Sequence, residues 1–294
     1  MDVSTPEAAR RPRIPDWIRV QLPSNPVFGR TSRLIEDLRL NTVCESARCP
    51  NRWECWSRAT ATFMVAGSRC TRACGFCAVE TARPLPLEDD EPRRVAGACL
   101  RLGLRHVVIT MVARDDLEDG AAGHVAKTVQ AIKESCGPIV VEVLTTDFNG
   151  SGESLKTVLE AGPEVFNHNL ETVERLTPQV RSRARYRRSL SVLKKARELS
   201  GSVVIKSGLM LGLGETEGEL KQAFLDLRTA GCDVLTLGQY LQPTLRHLPA
   251  VEFVPPERFD WYRSIALALG FREVFSGPLV RSSYHADELK ISNS

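Results

Sequence analysis

The chain has 294 residues, 43% hydrophobic and 26% charged, which is ordinary globular material with enough mass for one sizeable core and some appendages. A formal net charge of +3 is too mild to imply nucleic acid, and no apolar run approaches the roughly 20 residues of a membrane helix. The N-terminus lacks the apolar core of a signal peptide, so the expectation is a soluble, cytoplasmic protein with no nucleic-acid or membrane partner. Its opening, MDVSTPEAARRPRIP, carries arginines, but Asp2, Glu7 and the few hydroxyls argue against an organelle transit peptide.

In chain order, the first organised feature is a cysteine triad, Cys44-x4-Cys49-x5-Cys55. An apolar run at 61 to 67 follows, and directly after it a second triad, Cys70-x3-Cys74-x2-Cys77, in the string CTRACGFC. Further β-branched or aliphatic runs lie at 105 to 110, 139 to 145, 164 to 169, 202 to 208 and 233 to 238. Between them stand helical patterns such as GHVAKTVQAIKES, SGESLKTVLEAG, RSLSVLKKARELS and ETEGELKQAFLDLRTAG, several of them ending at glycine. Strand and helix alternating in this way predict βαβ units and a parallel sheet.

A complete eightfold barrel takes about 250 residues, and this repeat region is shorter, with six predicted strands. The expected fold is therefore α/β, a partial (β/α)6 TIM-like barrel with N-terminal and C-terminal extensions closing its mouth. Residues 1–58 form the N-terminal extension with the first triad, 59–276 the barrel and 277–294 the tail. Working residues of such barrels gather at the C-terminal ends of strands. The second triad follows the first strand, and Arg114-Asp115-Asp116, Asp147, Asn167-His168-Asn169, Lys206-Ser207 and Gln239-Tyr240 are expected to converge on the same mouth.

Three soft thiolates per triad suit iron–sulfur or zinc better than any hard cation. A closed zinc site or a fully ligated 4Fe-4S cluster takes four protein ligands, so three leave one metal corner open. A disulfide framework fits poorly, because the chain is long and nothing marks it as secreted. A zinc ribbon is the stronger alternative, although such ribbons usually present paired C-x2-C knuckles. Cys99, Cys136 and Cys232 have apolar neighbours and read as buried free thiols. The histidines, His106, His124, His168, His247 and His285, are not spaced as a metal set. The five arginines between Arg181 and Arg188 read as a solvated basic face, or as a docking patch for an acidic partner with a part serving the active site.

The string CTRACGFC, with Phe76 before its last cysteine, resembles the signature of the radical S-adenosylmethionine (SAM) superfamily. CESARCPNRWECWSRATATFM, RDDLEDG, EVFNHNLETVERL, YRRSL, KSGLMLGLGE, LTLGQYLQP and SGPLVRSSYHA together resemble the lipoyl synthase family, over nearly the whole chain after about residue 30. The resemblance implies a 4Fe-4S cluster on Cys70, Cys74 and Cys77 whose free iron chelates SAM, an electron from the cluster yielding a 5′-deoxyadenosyl radical. It puts Phe76, Thr110, Asn169, Arg188 and Met210 at the cofactor. Asn169 would meet the ribose, Arg188 the carboxylate, Thr110 the amine, and the glycine motif 208 to 215 the adenine.

The resemblance also implies an auxiliary 4Fe-4S cluster on Cys44, Cys49 and Cys55, with its fourth ligand Ser283 from the motif Arg281-Ser282-Ser283-Tyr284. Ser283 and Arg281 are the residues it marks as catalytic. The implied reaction inserts two sulfur atoms, drawn from the auxiliary cluster, at carbons 6 and 8 of an octanoyl-lysine. Implied partners are octanoylated lipoyl carrier domains (2-oxoacid dehydrogenase E2 or glycine cleavage H protein), a ferredoxin or flavodoxin, and an iron–sulfur carrier that rebuilds the cluster. Met111 and Ala113 stand where serine and aspartate are expected, and Thr146 where proline is usual. Another two-cluster radical SAM enzyme, such as a methylthiotransferase-like catalyst, shares part of this pattern. A zinc-binding module would leave the βα units unexplained.

Overall fold

Strands covered on both faces need apolar side chains at nearly every position, and the runs TFMV, HVVITM and VLTLGQ are buried almost without interruption. The computed structural model describes residues 13–19, 25–284 and 286–289. Its strands are β1 (Thr62–Val65), the two-residue pair β2 (Arg69–Cys70) and β3 (Glu80–Thr81), β4 (His106–Met111), β5 (Val140–Leu144), β6 (Val165–Asn167), β7 (Val204–Leu211), β8 (Val234–Gln239) and β9 (Glu273–Gly277). Seven form one sheet in the order β1-β4-β5-β6-β7-β8-β9, parallel at every pairing.

Six of these strands match the six predicted runs. The seventh, β9, has only Val274 and Phe275 as apolar signal, and its register on β8 is what makes it a strand. The crossovers contain α4 (Glu91–Leu102), α5 (Ala122–Cys136), α6 (Gly152–Glu160), the short α7 (Thr177–Val180), α8 (Tyr186–Leu199), α9 (Glu217–Thr229) and α10 (Pro256–Ala268). Each buries one stripe: on α5 it is Val125, Val129 and Ile132, the i, i+4, i+7 spacing of one helical face. A reciprocal capping box between Thr216 and Glu219 starts α9. The architecture is thus an α/β partial barrel.

Among the described residues the edge strands β1 and β9 do not pair with each other, and both extensions lie at that seam. In the N-terminal extension, α1 (Pro26–Asp37), α2 (Val43–Ser46) and α3 (Arg52–Ser57) gather around buried Trp56, with Phe28 stacked on Trp53 at 4.5 Å. A bridge from Thr42 to Phe63 joins this unit to β1, and Arg94 of α4 donates to Leu38 O and Arg39 O. At the barrel floor Leu289 of the tail packs with Val165, Val204 and Val234. Asp2, Glu7 and His285 lie outside the described residues.

Above that floor sits an ionic layer. Lys206 Nζ lies 3.0 Å from both carboxylate oxygens of Glu142, and Asn167 Nδ2 donates to Glu142 Oε1 at 2.8 Å. His106 Nε2 stands 3.5 Å from Glu142 Oε2. Burial works to raise the Glu142 carboxyl, but Lys206, His106 and Asn167 together hold it below its ordinary value. Lys206 and Asn167 therefore do not reach the mouth as expected. Strand β7 runs on to Leu211, beyond the predicted run at 202 to 208, which leaves Lys206 in its interior. Lys206→Met, which leaves Glu142 buried without its counterion, is expected to destabilise the fold by about 3–5 kcal/mol. Urea unfolding should show Glu142→Leu in the same chain recovering most of that loss.

Candidate active site

The loop after β1 turns through left-handed Ala66 (φ 67°) and Gly67 (φ 96°) and delivers the second triad to the mouth. Cys70 is fixed by the β2–β3 pair, and its Sγ accepts the amides of Arg72 and Ala113, each at 3.4 Å. Arg72 clamps the loop to two strand ends. Its Nη2 and Nε donate to Asp115 at 2.7 and 2.9 Å, and its Nη1 lies 2.7 Å from Asp147 Oδ1. Hydrogen bonds from Arg72 hold the Asp115 carboxyl down at about 2. On the far side, Gly75 N donates to Val180 O, and His247 Nε2 donates to Cys77 O at 3.0 Å. That fixes the tautomer, so His247 Nδ1 accepts from Thr244.

The first triad arrives on α2 and α3: Cys44 is in α2, Cys55 in α3, and Cys49 in the turn between them. The tail reaches it from β9. Asn51 Nδ2 donates to Leu279 O at 2.7 Å and Tyr284 Oη to Glu54 at 2.9 Å, which straps residues 279 to 284 along α3. The tail also presses on β8, where a Cβ on Gly238 would collide with Val280 O. Arg281 lies near Cys49, whose thiol is raised by burial and pulled back by this guanidinium. Of the two adjacent serines, Ser282 is taken by Asn169, whose Nδ2 donates to it at 2.7 Å. Ser283 instead lines a small cavity with Cys55.

Both triads contribute to one cavity of about 490 Å³, the second with all three of its cysteines and the first through Cys49 alone. Arg281 and Ser283 line it with Cys49, and Phe76, Thr110, Asn169 and Met210 line it with Cys70, Cys74 and Cys77. Thr110 Oγ1 donates to Leu144 O. Arg188 is not in the wall. Its Nε pairs with Asp147 Oδ2 at 2.7 Å and its Nη2 donates to Arg183 O, so the strand-end carboxylate has already taken the fork expected for a cofactor carboxylate.

Of the five arginines between Arg181 and Arg188, the one that lines the cavity is Arg181, 8% exposed. It was hidden at the head of what reads as a basic face. A further wall residue the sequence reading passed over is Glu171, which adopts φ 69° and whose carboxyl is raised by burial. Its only sequence signal was its place in the string HNLET. His168 is buried and neutral, its pKa pushed down to about 4 by burial and by Arg181.

Among the described residues no three His, Cys, Asp or Glu side chains converge tightly enough for a single metal ion. The thiols of each triad are nevertheless close enough to raise one another's pKa. A cubane bound by one thiolate per iron needs that wider ring. Burial pushes Cys44 up to about 11 and Cys55 and Cys77 up to about 12, so bound iron would have to replace their protons. Two buried polar atoms on the cavity wall, Asn169 Oδ1 and Thr145 Oγ1, have no protein partner. Gly208 keeps the wall shallow, because a Cβ there would fall 2.5 Å from Thr236 Oγ1. Six soft thiols, two unmet hydrogen-bonding groups and a shallow wall fit iron–sulfur clusters and a nucleoside-bearing cofactor.

Residues 64–227 match the Radical SAM superfamily. The chain is 54% identical over 275 residues to a lipoyl synthase of Caldanaerobacter subterraneus subsp. tengcongensis, covering 94% of this chain and 96% of that one. It is also 54% identical over 277 residues to a lipoyl synthase of Thermus thermophilus, covering 94% and 86%. Among solved structures, methylornithine synthase shares the fold at TM-score 0.51 and 15% identity, covering 88% of this chain and 83% of that one. Streptococcus suis SuiB bound to S-adenosylmethionine does so at 0.55 and 12%, covering 82% and 58%. The parallel partial barrel with its cysteine loop is that of a radical SAM protein, a class that implies a 4Fe-4S cluster and SAM. Within that class the chain belongs to the lipoyl synthase family. Among the described residues no helix is long and apolar enough to cross a membrane.

Gly238→Ala is expected to push residues 278–284 off β8 while leaving the barrel folded. Hydrogen exchange should then quicken in that segment and stay unchanged in β4 to β7.

Proposed function

We propose that this protein is a cytoplasmic lipoyl synthase that inserts two sulfur atoms at carbons 6 and 8 of a protein-bound octanoyl-lysine. The observation that carries this reading is the one cavity lined by Cys49 of the first triad and by all of the second, with Ser283 lining both it and the small cavity at Cys55. Cys70, Cys74 and Cys77 would hold the cluster that binds SAM, and Cys44, Cys49, Cys55 and Ser283 the auxiliary cluster. When bound, these groups supply hydrogen-atom abstraction from unactivated carbon and the sulfide that replaces the hydrogen.

The chain's own contribution is positioning. Met64, Val112 and Leu144 give the cavity an apolar wall for an alkyl chain. Asn169, tied to Ser282, offers its free Oδ1 to the cofactor side while anchoring the tail. Arg281, half-buried beside Cys49, offsets the negative charge of thiolates on the first triad. A serine oxygen among soft sulfur ligands makes an uneven site, which suits an iron that has to leave as sulfide is withdrawn.

The test is anaerobic reconstitution and incubation with an octanoyl-lysyl peptide and SAM. Mass spectrometry should show two sulfur atoms added, and iron should fall from about eight to about four per chain in a Cys44/Cys49/Cys55 triple alanine variant. That variant should still form 5′-deoxyadenosine. Cleavage of SAM by the wild type with no sulfur added to the peptide would sink the assignment.

The carrier would be an E2 lipoyl domain or a glycine cleavage H protein, with a ferredoxin or flavodoxin as electron donor and an iron–sulfur carrier for repair. Arg183 and Arg185 are exposed and could steer an acidic carrier domain, whereas Arg181 is turned inward. Reversing both charges should weaken carrier binding most at low ionic strength. Equal affinity at low salt would leave them as a solvated face.

A further inference from the structure

One chain of buried hydrogen bonds is not absorbed by the reading above, and it ends at the second triad. His168, the residue after β6, has its Nδ1 2.9 Å from Thr145 O. A carbonyl oxygen only accepts, so the ring proton is on Nδ1 and Nε2 is left as an acceptor. Nε2 lies 3.0 Å from Ser189 Oγ on α8, which must donate to it. That leaves the Ser189 oxygen to accept, and Arg181 Nη1 donates to it at 2.9 Å. His168 and Ser189 are 1% and 0% exposed, and Arg181 is 8% exposed. Every polar atom of the serine and the imidazole is thus used to hold one guanidinium.

That guanidinium makes no ion pair within salt-bridge distance among the described residues, although buried charge is normally paired. The backbone next to it is tied to the loop of the second triad. Val180 O accepts the amide of Gly75 at 3.0 Å, and Arg181 and Cys74 share the cavity wall. A cluster that gains an electron becomes more negative, so a fixed cation next to one of its thiolates favours the reduced state.

We propose that His168 is a positioning residue which, through Ser189, holds Arg181 beside Cys74 and so raises the reduction potential of the cluster on the second triad. The inference rests on the reading that Cys70, Cys74 and Cys77 bind such a cluster.

Potentiometric titration of the reconstituted two-cluster protein, followed by electron paramagnetic resonance, tests it, with the auxiliary cluster as internal reference. Arg181→Gln should move the midpoint of the cluster on the second triad to more negative potential. Ser189→Ala and His168→Leu should move it the same way by a smaller amount. His168→Gln, which keeps one donor and one acceptor, should stay near the wild-type value. Wild-type midpoints in both Arg181→Gln and Ser189→Ala would overturn the proposal, as would equal shifts of both clusters. A shift in Arg181→Gln with none in Ser189→Ala would overturn the relay. Should His168→Leu fail to fold, Ser189→Ala reads the same link. Absence of a cluster on the second triad of the wild type would instead remove the underlying reading.

Discussion

The mouth of this protein depends on a barrel whose parallel sheet, among the described residues, ends at β1 on one side and β9 on the other without closing. A closed barrel fills its own seam with side chains. Here the seam is filled by the helices α1 to α3 and by the tail, and each brings chemistry with it. The extension brings Cys44, Cys49 and Cys55, and the tail brings Arg281 and Ser283. Gly238 sets how closely they can approach, since only the absence of a side chain lets the Val280 carbonyl lie against β8.

Beneath the mouth the interior is layered. Val165, Val204, Val234 and Leu289 make an apolar floor, and the Glu142–Lys206 pair with Asn167 and His106 makes an ionic layer above it. Buried ion pairs often contribute little net stability and can be replaced by apolar residues. Their effect here is to fix where four strands lie relative to one another, because each partner comes from a different strand or meets one that does. The cavity above is then walled by small or polar residues such as Thr110, Gly208 and Thr236, which leave room that larger side chains would fill.

Charge at the mouth is distributed in the same economical way. Burial raises the thiols of Cys44, Cys49, Cys55, Cys74 and Cys77, and of the cations beside the two triads Arg281 is half-buried and Arg181 buried. Arg72 is spent on Asp115 and Asp147, and Arg188 on Asp147, so those arginines serve the loop and strand ends. Four arginines that look alike in sequence thus have two different tasks.

The sequence by itself determined the alternation of strand and helix, the partial barrel and the two cysteine triads, because periodicity, turn residues and ligand spacing are local properties. The quoted motifs also carried the family resemblance. What it could not determine were the strand β9, the inward turn of Arg181, the diversion of Arg188 and the burial of Lys206. Each depends on a partner far along the chain: β8 for β9, the cysteine loop for Arg181, Asp147 for Arg188, and Glu142 for Lys206. Side-chain direction at the end of a strand follows from where that strand stops and what packs over it, and only the tertiary structure decides both.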